Sequence, residues 1–323
     1  MRGLEFAWFL IKSQRTTTTV KTFAQILSLL LFFAIARIAN AGEAIRFSNS
    51  DVVGFIGGGD VAAAQFTGHL ESLLAREFPG TRFRNFGWEG DTVFAQPRDY
   101  NFPPIKEHLE KAQVTVAILQ FGRTEVLSDE RGDFKAAYLK VLSEIQEIVP
   151  NVILVTPIPF EKPVEPLPDL SKRNSRLRET SETIRDIAKD KNLLVIDLFE
   201  ALEKQAKPIT EDGLLLTPLG HSRVARGFVE SMGFKVADSA AADGKWQSAK
   251  LEQLRQAVIE KNRLWFNYWR PQNWAFLGGD RIEQPSSRDH RDQKVRWFPQ
   301  EMEKYPKLIA EKEQEIASLA SKK

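Results

Sequence analysis

Short apolar runs at residues 52–56, 83–86, 114–119, 152–156 and 193–196 recur along the chain, each followed by a segment of a different rhythm. In 61–78, 103–112, 134–148, 171–188 and 218–232, apolar residues return every three or four positions with charges on the opposite face. The first kind reads as buried parallel strands and the second as amphipathic helices. Strand and helix alternate over about 190 residues, which predicts a doubly wound sheet covered on both sides. After Gly233 the pattern changes. Residues 238–244 read as a linker, Leu251, Leu254, Val258 and Trp265 mark a helix, and a charged helix over 301–320 closes the chain. Five of the seven tryptophans (Trp246, Trp265, Trp269, Trp274 and Trp297) fall in this last quarter.

The amino terminus follows another logic. Arg2, Lys12, Arg15 and Lys21 precede an apolar run over 26–36, and Ala39-Asn40-Ala41 supplies the small residues of a signal-peptidase site. The run is shorter than the ~20 apolar residues that span a bilayer. We therefore expect residues 1–41 to be a signal peptide cleaved before Gly42, giving an exported protein, periplasmic or secreted, with no membrane span after cleavage. Residues 42–235 would form the α/β domain and 236–323 the linker and tryptophan-rich extension. The formal charge of +2 owes much to the leader, whose removal leaves 40 basic and 42 acidic residues. Nucleic-acid binding, which needs a clustered basic surface, is not expected. There is no cysteine, which excludes lipid attachment, a disulfide scaffold, a thiolate metal site and a cysteine nucleophile. No metal site or cofactor is expected.

The chemistry concentrates at the ends of the apolar runs. The first ends in Gly57-Gly58-Gly59-Asp60, the second in Asn85-Phe86-Gly87-Trp88-Glu89-Gly90-Asp91-Thr92, and the third in Gly122-Arg123-Thr124-Glu125. Near the last helix stands Asp212-Gly213-Leu214-Leu215, followed by Thr217-Pro218-Leu219-Gly220-His221. In order and spacing these blocks resemble those of the SGNH, or GDSL, hydrolases over roughly residues 52–228. The resemblance implies a flavodoxin-like, three-layer α/β/α fold with a five-stranded parallel sheet, and a hydrolase acting on carboxylic esters, acetylated glycans among them. It places Gly59 where the family has its serine nucleophile, Gly90 and Thr124 where it has oxyanion donors, and Asp212 and Leu215 where it has the Asp-His pair. The motif Trp269-Arg270-Pro271-Gln272-Asn273-Trp274 is similar to a C-terminal extension of exported bacterial members with an altered serine block.

Acyl transfer by a serine enzyme needs an oxygen nucleophile, a base, a carboxylate that orients the base, and donors aimed at the oxyanion. Glycine supplies no side-chain oxygen and leucine accepts no proton. The expectation is therefore a protein without the usual serine–histidine mechanism, binding glycans or acting as a scaffold. The alternative is an esterase with a relocated nucleophile or base, for which His221 is the candidate. Gly57-Gly58-Gly59-Asp60-Val61-Ala62 also fits the G-x-G-x-x-A dinucleotide fingerprint, but Asp60 opposes a phosphate, and the acid expected about 20 residues on is missing. Asp60, Trp88, Glu89, Asp91, Arg123 and Glu125 suit a sugar, which stacks on a ring and hydrogen-bonds at its edge. The structural alternative has Asp60 capping its helix and Arg123 pairing with Glu125 or Glu89. Residues 286–290 read as a solvated loop. The extension is expected to pack on its own domain, with a protein-partner or polymer surface as the sharper alternative.

Overall fold

The computed structural model describes residues 45–129, 132–205 and 208–321. The leader and its cleavage site lie outside the described residues. Five parallel strands form one sheet in the order β2-β1-β3-β4-β5: β1 Val52–Gly57, β2 Arg82–Asn85, β3 Val116–Gln120, β4 Asn151–Val155 and β5 Leu194–Ile196. Because side chains alternate across a strand, Val53 and Phe55 of β1 enter one core cluster while Val52 and Ile56 enter another. That two-sided burial is why the strands read as apolar runs rather than as alternating ones.

On the Val53 face pack α1 (Gly59–Thr67), α2 (His69–Glu77) and the later helix α7 (Pro218–Ser231). Helices α3 (Ile105–Lys111), α4 (Phe134–Gln146) and α5 (Asn174–Asp190) cover the other face, and the short α6 (Leu198–Glu203) follows β5. The fold is thus the expected flavodoxin-like three-layer α/β/α arrangement.

The carboxyl-terminal helices have a definite task. Helix α8 (Ala249–Trp269) crosses the edge strand β2: Leu251, Leu254 and Val258 join the core of one face, while Trp265 and Trp269 join that of the other. Its side chains take up carbonyls that an edge strand leaves open. Lys261 Nζ donates to Phe83 O at 2.9 Å and Trp265 Nε1 to Asn85 O at 2.8 Å. Covering an edge in this way removes a template for aggregation. Two small helices, α9 (Trp274–Leu277) and α10 (Trp297–Met302), lead to α11 (Tyr305–Ser321), which contributes Ile309 and Ile316 to the two clusters.

Three local expectations are corrected. The pattern over 61–78 predicted one helix, but it breaks at Gly68, where φ is +67°. A Cβ there would come within 2.9 Å of Ile259 and 3.1 Å of the Arg255 carbonyl, both on α8, so the break lets α8 dock. The helix predicted over 301–320 is likewise two, α10 and α11. Residues 286–290 form a packed turn rather than a solvated loop: the Ser287 hydroxyl donates to the Ile282 and Gln284 carbonyls, and Asp289 accepts from the Trp297 indole. Among the described residues no helix is long and apolar enough to cross a membrane.

His69 ties the segment before α8 to α2. Its Nε2–H donates to Gly244 O at 2.6 Å, the ring meets Trp246 edge-on at 5.4 Å, and Nδ1 is buried without a partner. Burial holds the pKa down at about 4, against 6.5 ordinarily, the Gly244 carbonyl opposing it. Protonation would add an N–H with nothing to receive it. Since the folded pKa lies below the unfolded one, this stability is fully present above pH ~6.5 and lost as pH falls toward ~4, amounting to roughly 3 kcal/mol. Urea midpoints at pH 7 and pH 4.5 should separate further in the wild type than in His69→Gln. Equal separation would show that this histidine does not contribute to the acid sensitivity.

Candidate functional site

The carboxyl ends of β1 and β3 enclose a small pocket of about 10 Å³ lined by Gly58, Gly59, Asp60, Asp91, Arg123 and Thr124, among others. Its floor is the glycine turn leading into α1. A Cβ on Gly57 would lie 2.3 Å from Gln120 O, and one on Gly58 2.7 Å from Asp91 O. Those two glycines let the turn approach neighbouring backbone. Gly59 differs, since the nearest atom to its Cβ direction is Glu89 O at 3.8 Å. A side chain would fit there.

Arg123 is 5% exposed, and its guanidinium donates to Asp60 Oδ1 at 2.7 Å and lies 5.0 Å from the centre of the Phe160 ring. Its partner is therefore neither Glu125 nor Glu89. Nor does Asp60 cap its helix: it sits in the first turn behind the N-cap Gly58, which makes no side-chain cap bond. Glu125 accepts from the backbone of Val93 and of Gly122, each at 2.8 Å, so it clamps two of the loops that build the pocket. Burial pushes its carboxyl pKa up, against the pull of those N–H groups. Glu89 pairs with Arg270 at 2.7 Å.

Asp91 holds Arg98 through two bonds of 2.7 Å, a planar fork on a carboxylate. Burial pushes its pKa up, opposed by Arg98. Arg98 and Arg270 also lie over the Trp88 ring, 4.1 and 3.5 Å from its centre, while Phe102 and Trp269 meet the ring edge-on. The ring expected to receive a sugar is thus engaged by two guanidinium groups. Pattern reading passed over both arginines. Their acidic partners lie 7 and 181 positions away in sequence, and the only hint was the presence of Arg270 in the tryptophan-rich motif. Gly90, at the exposed tip of this turn, has nothing within 4 Å of its Cβ direction.

Asp212 accepts from the backbone of Leu215 at 2.7 Å and of Leu214 at 2.9 Å, and these bonds hold its pKa below the usual range. It therefore shapes its own turn, with Arg123 among the charges it senses. Leu215 is 60% exposed. His221 lies in the first turn of α7 and feels the charge of Asp60, while burial lowers its pKa and keeps it neutral. The structure thus brings Gly59, Asp60, Asp91, Arg123, Thr124 and Glu125 to one pocket, with Asp212 and His221 within electrostatic reach. Among the described residues no group of three or more acidic or histidine side chains could hold a metal ion.

Among solved structures, a catalytic mutant of Axe2, an acetylxylan esterase from Geobacillus stearothermophilus, is similar at 18% identity and a TM-score of 0.48, covering 59% of this chain and 98% of its own. LAE5, an alpha/beta hydrolase enzyme from the metagenome of Lake Arreo, Spain, is similar at 16% identity and 0.46, covering 58% and 97%. No curated protein matches the chain. The family model of the GDSL-like lipase/acylhydrolases matches residues 55–223, just over half of the 323 residues. That span holds the glycine turn, the Asn85–Thr92 turn, the Arg123 loop and the Asp212 turn, and the chain belongs to the GDSL-like lipase/acylhydrolase family, whose class is ester hydrolysis.

Proposed function

We propose that this member of an ester-hydrolase family, exported by means of residues 1–41, does not use serine–histidine chemistry and serves as a carbohydrate-binding or scaffolding protein. One observation carries the reading: Gly59, which lines the pocket, has room for a side chain yet supplies no oxygen. The Arg123–Asp60 pair occupies the neighbouring space. Thr124 brings the one hydroxyl side chain among the described residues lining the pocket, and the carboxylate beside it in sequence, Glu125, is committed to the Val93 and Gly122 amides. Loss of the nucleophile or the base of a triad costs about a million-fold in turnover.

The purified protein should therefore hydrolyse an activated acetate ester no faster than buffer and should not label with a serine-directed fluorophosphonate. Gly59→Ser alone should recover little. Gly59→Ser with Leu215→His, which places a base three residues from Asp212, should restore labelling and measurable turnover. The rival reading, an esterase with a relocated base, draws on His221, neutral and within the field of Asp60. Wild-type turnover that disappears in His221→Ala would replace our reading with that one.

A further inference from the structure

Away from the strand ends, where α8 and α11 meet α3, a groove of about 650 Å³ runs beneath the tryptophan-rich tail. This lies within the ~300–1,000 Å³ of ordinary small-molecule pockets, so it has room for a bound ligand. Its walls carry Trp265, Tyr268, Trp269 and Trp274. Trp274 is half-buried and its indole N–H is anchored to Tyr100 O at 3.0 Å, which holds the ring in place.

Two further atoms in this wall lack partners. Trp269 is 4% exposed, and neither its Nε1–H nor Nε2 of His108 makes a hydrogen bond within the protein. The two rings stand edge to face, 5.5 Å apart. The other nitrogen of His108 is committed to the Pro103 carbonyl, and burial holds the pKa down at about 4. At neutral pH its Nε2 is therefore an acceptor, while Trp269 Nε1 is a donor. Buried polar atoms are normally paired, and leaving one unpaired costs roughly 1–3 kcal/mol. Both atoms are sealed from solvent, so a hydroxyl group, which donates and accepts at once, meets both needs only when the wall opens to admit it.

Charge narrows the class. Arg82, Arg84 and Lys111 line the groove together with Glu107, Glu110 and Glu313, three of each sign, so a strongly ionic ligand gains nothing from it. The half-buried rings of Tyr268 and Trp274, polar groups at the edges, no net charge and an unfilled donor–acceptor pair together describe a site for a neutral saccharide chain. We propose that this groove, rather than the cleft at the strand ends, is the carbohydrate-binding site. For its ligand class the inference rests on the functional reading above.

The test is isothermal titration of the full mature chain with three neutral hexasaccharides: xylohexaose, cellohexaose and chitohexaose. At least one should bind. Trp274→Ala, which removes the stacking wall, and His108→Phe, which keeps ring volume but removes the acceptor, should each weaken binding roughly tenfold or more. Thermal midpoints recorded on both variants guard against simple unfolding; should Trp274→Ala melt early, His108→Phe decides. Binding lost in Gly90→Trp, whose side chain enters open space at the cleft, and retained in both groove variants would overturn the groove while keeping the carbohydrate reading. Absence of heat with all three sugars would overturn both. Ester hydrolysis by the wild type would overturn only the non-catalytic reading and leave the groove standing.

Discussion

Lys261→Met will destabilise the protein by about 3–5 kcal/mol, the usual cost of leaving half of a buried ion pair behind. Lys261 is 1% exposed, and its ammonium meets Glu71 at 2.6 Å, Asn262 Oδ1 at 2.7 Å and Phe83 O at 2.9 Å. Burial pulls its pKa down and pushes that of Glu71 up, each opposed by its partner. Methionine keeps the length and apolar bulk of the side chain, so packing changes little. What changes is that Glu71 is left buried with Arg84 as an opposing charge, and the Phe83 carbonyl on the edge strand loses its ammonium donor. Glu71→Gln together with Lys261→Met removes both charges and should recover a large part of the loss. Urea unfolding of the three proteins measures this. A single variant as stable as the double one would show that the pair contributes nothing as a pair.

Glu125→Ala should cost about 2–6 kcal/mol, since it strands two buried N–H groups at roughly 1–3 kcal/mol each. The effect reaches the site. Val93 follows the Asn85–Thr92 turn and Gly122 precedes Arg123, so the carboxylate joins two of the loops on which the pocket depends. Glu125→Gln retains one acceptor and should lose about half as much. Amide hydrogen exchange would report the change locally: the Val93 and Gly122 amides should exchange faster in the alanine variant under conditions where β3 and β4 remain protected. Unchanged protection at those amides would remove Glu125 from this role.

The two-sided sheet was legible because strands buried on both faces must be apolar throughout, and the intervening helices must each show one apolar stripe. The family blocks were legible for a related reason. Glycines at Gly57 and Gly58 are required wherever backbone meets backbone closely, and such positions keep their place in the order of the chain. Partner choice was not legible. Beside ligand contact, sequence reading offered Arg123 only Glu125 or Glu89 as partner, and Asp60 a helix cap. Their actual contact joins residues 63 positions apart, and it depends on β1 lying beside β3.

Trp88 makes the same point. Its position in a turn beside a cleft suggested a free ring, but the guanidinium groups of Arg98 and Arg270 over it come from a later loop and from the tail. The tail itself reads as an appendage joined by a linker, whereas α8 seals the edge of the sheet and splits the preceding helix at Gly68. Local pattern thus determined which segments are strands, most of the helices, and which faces they bury. The tertiary structure alone decided the ion pairs that close the cleft, the covering of β2 and the aromatic groove, because each depends on residues made neighbours by packing rather than by spacing along the chain.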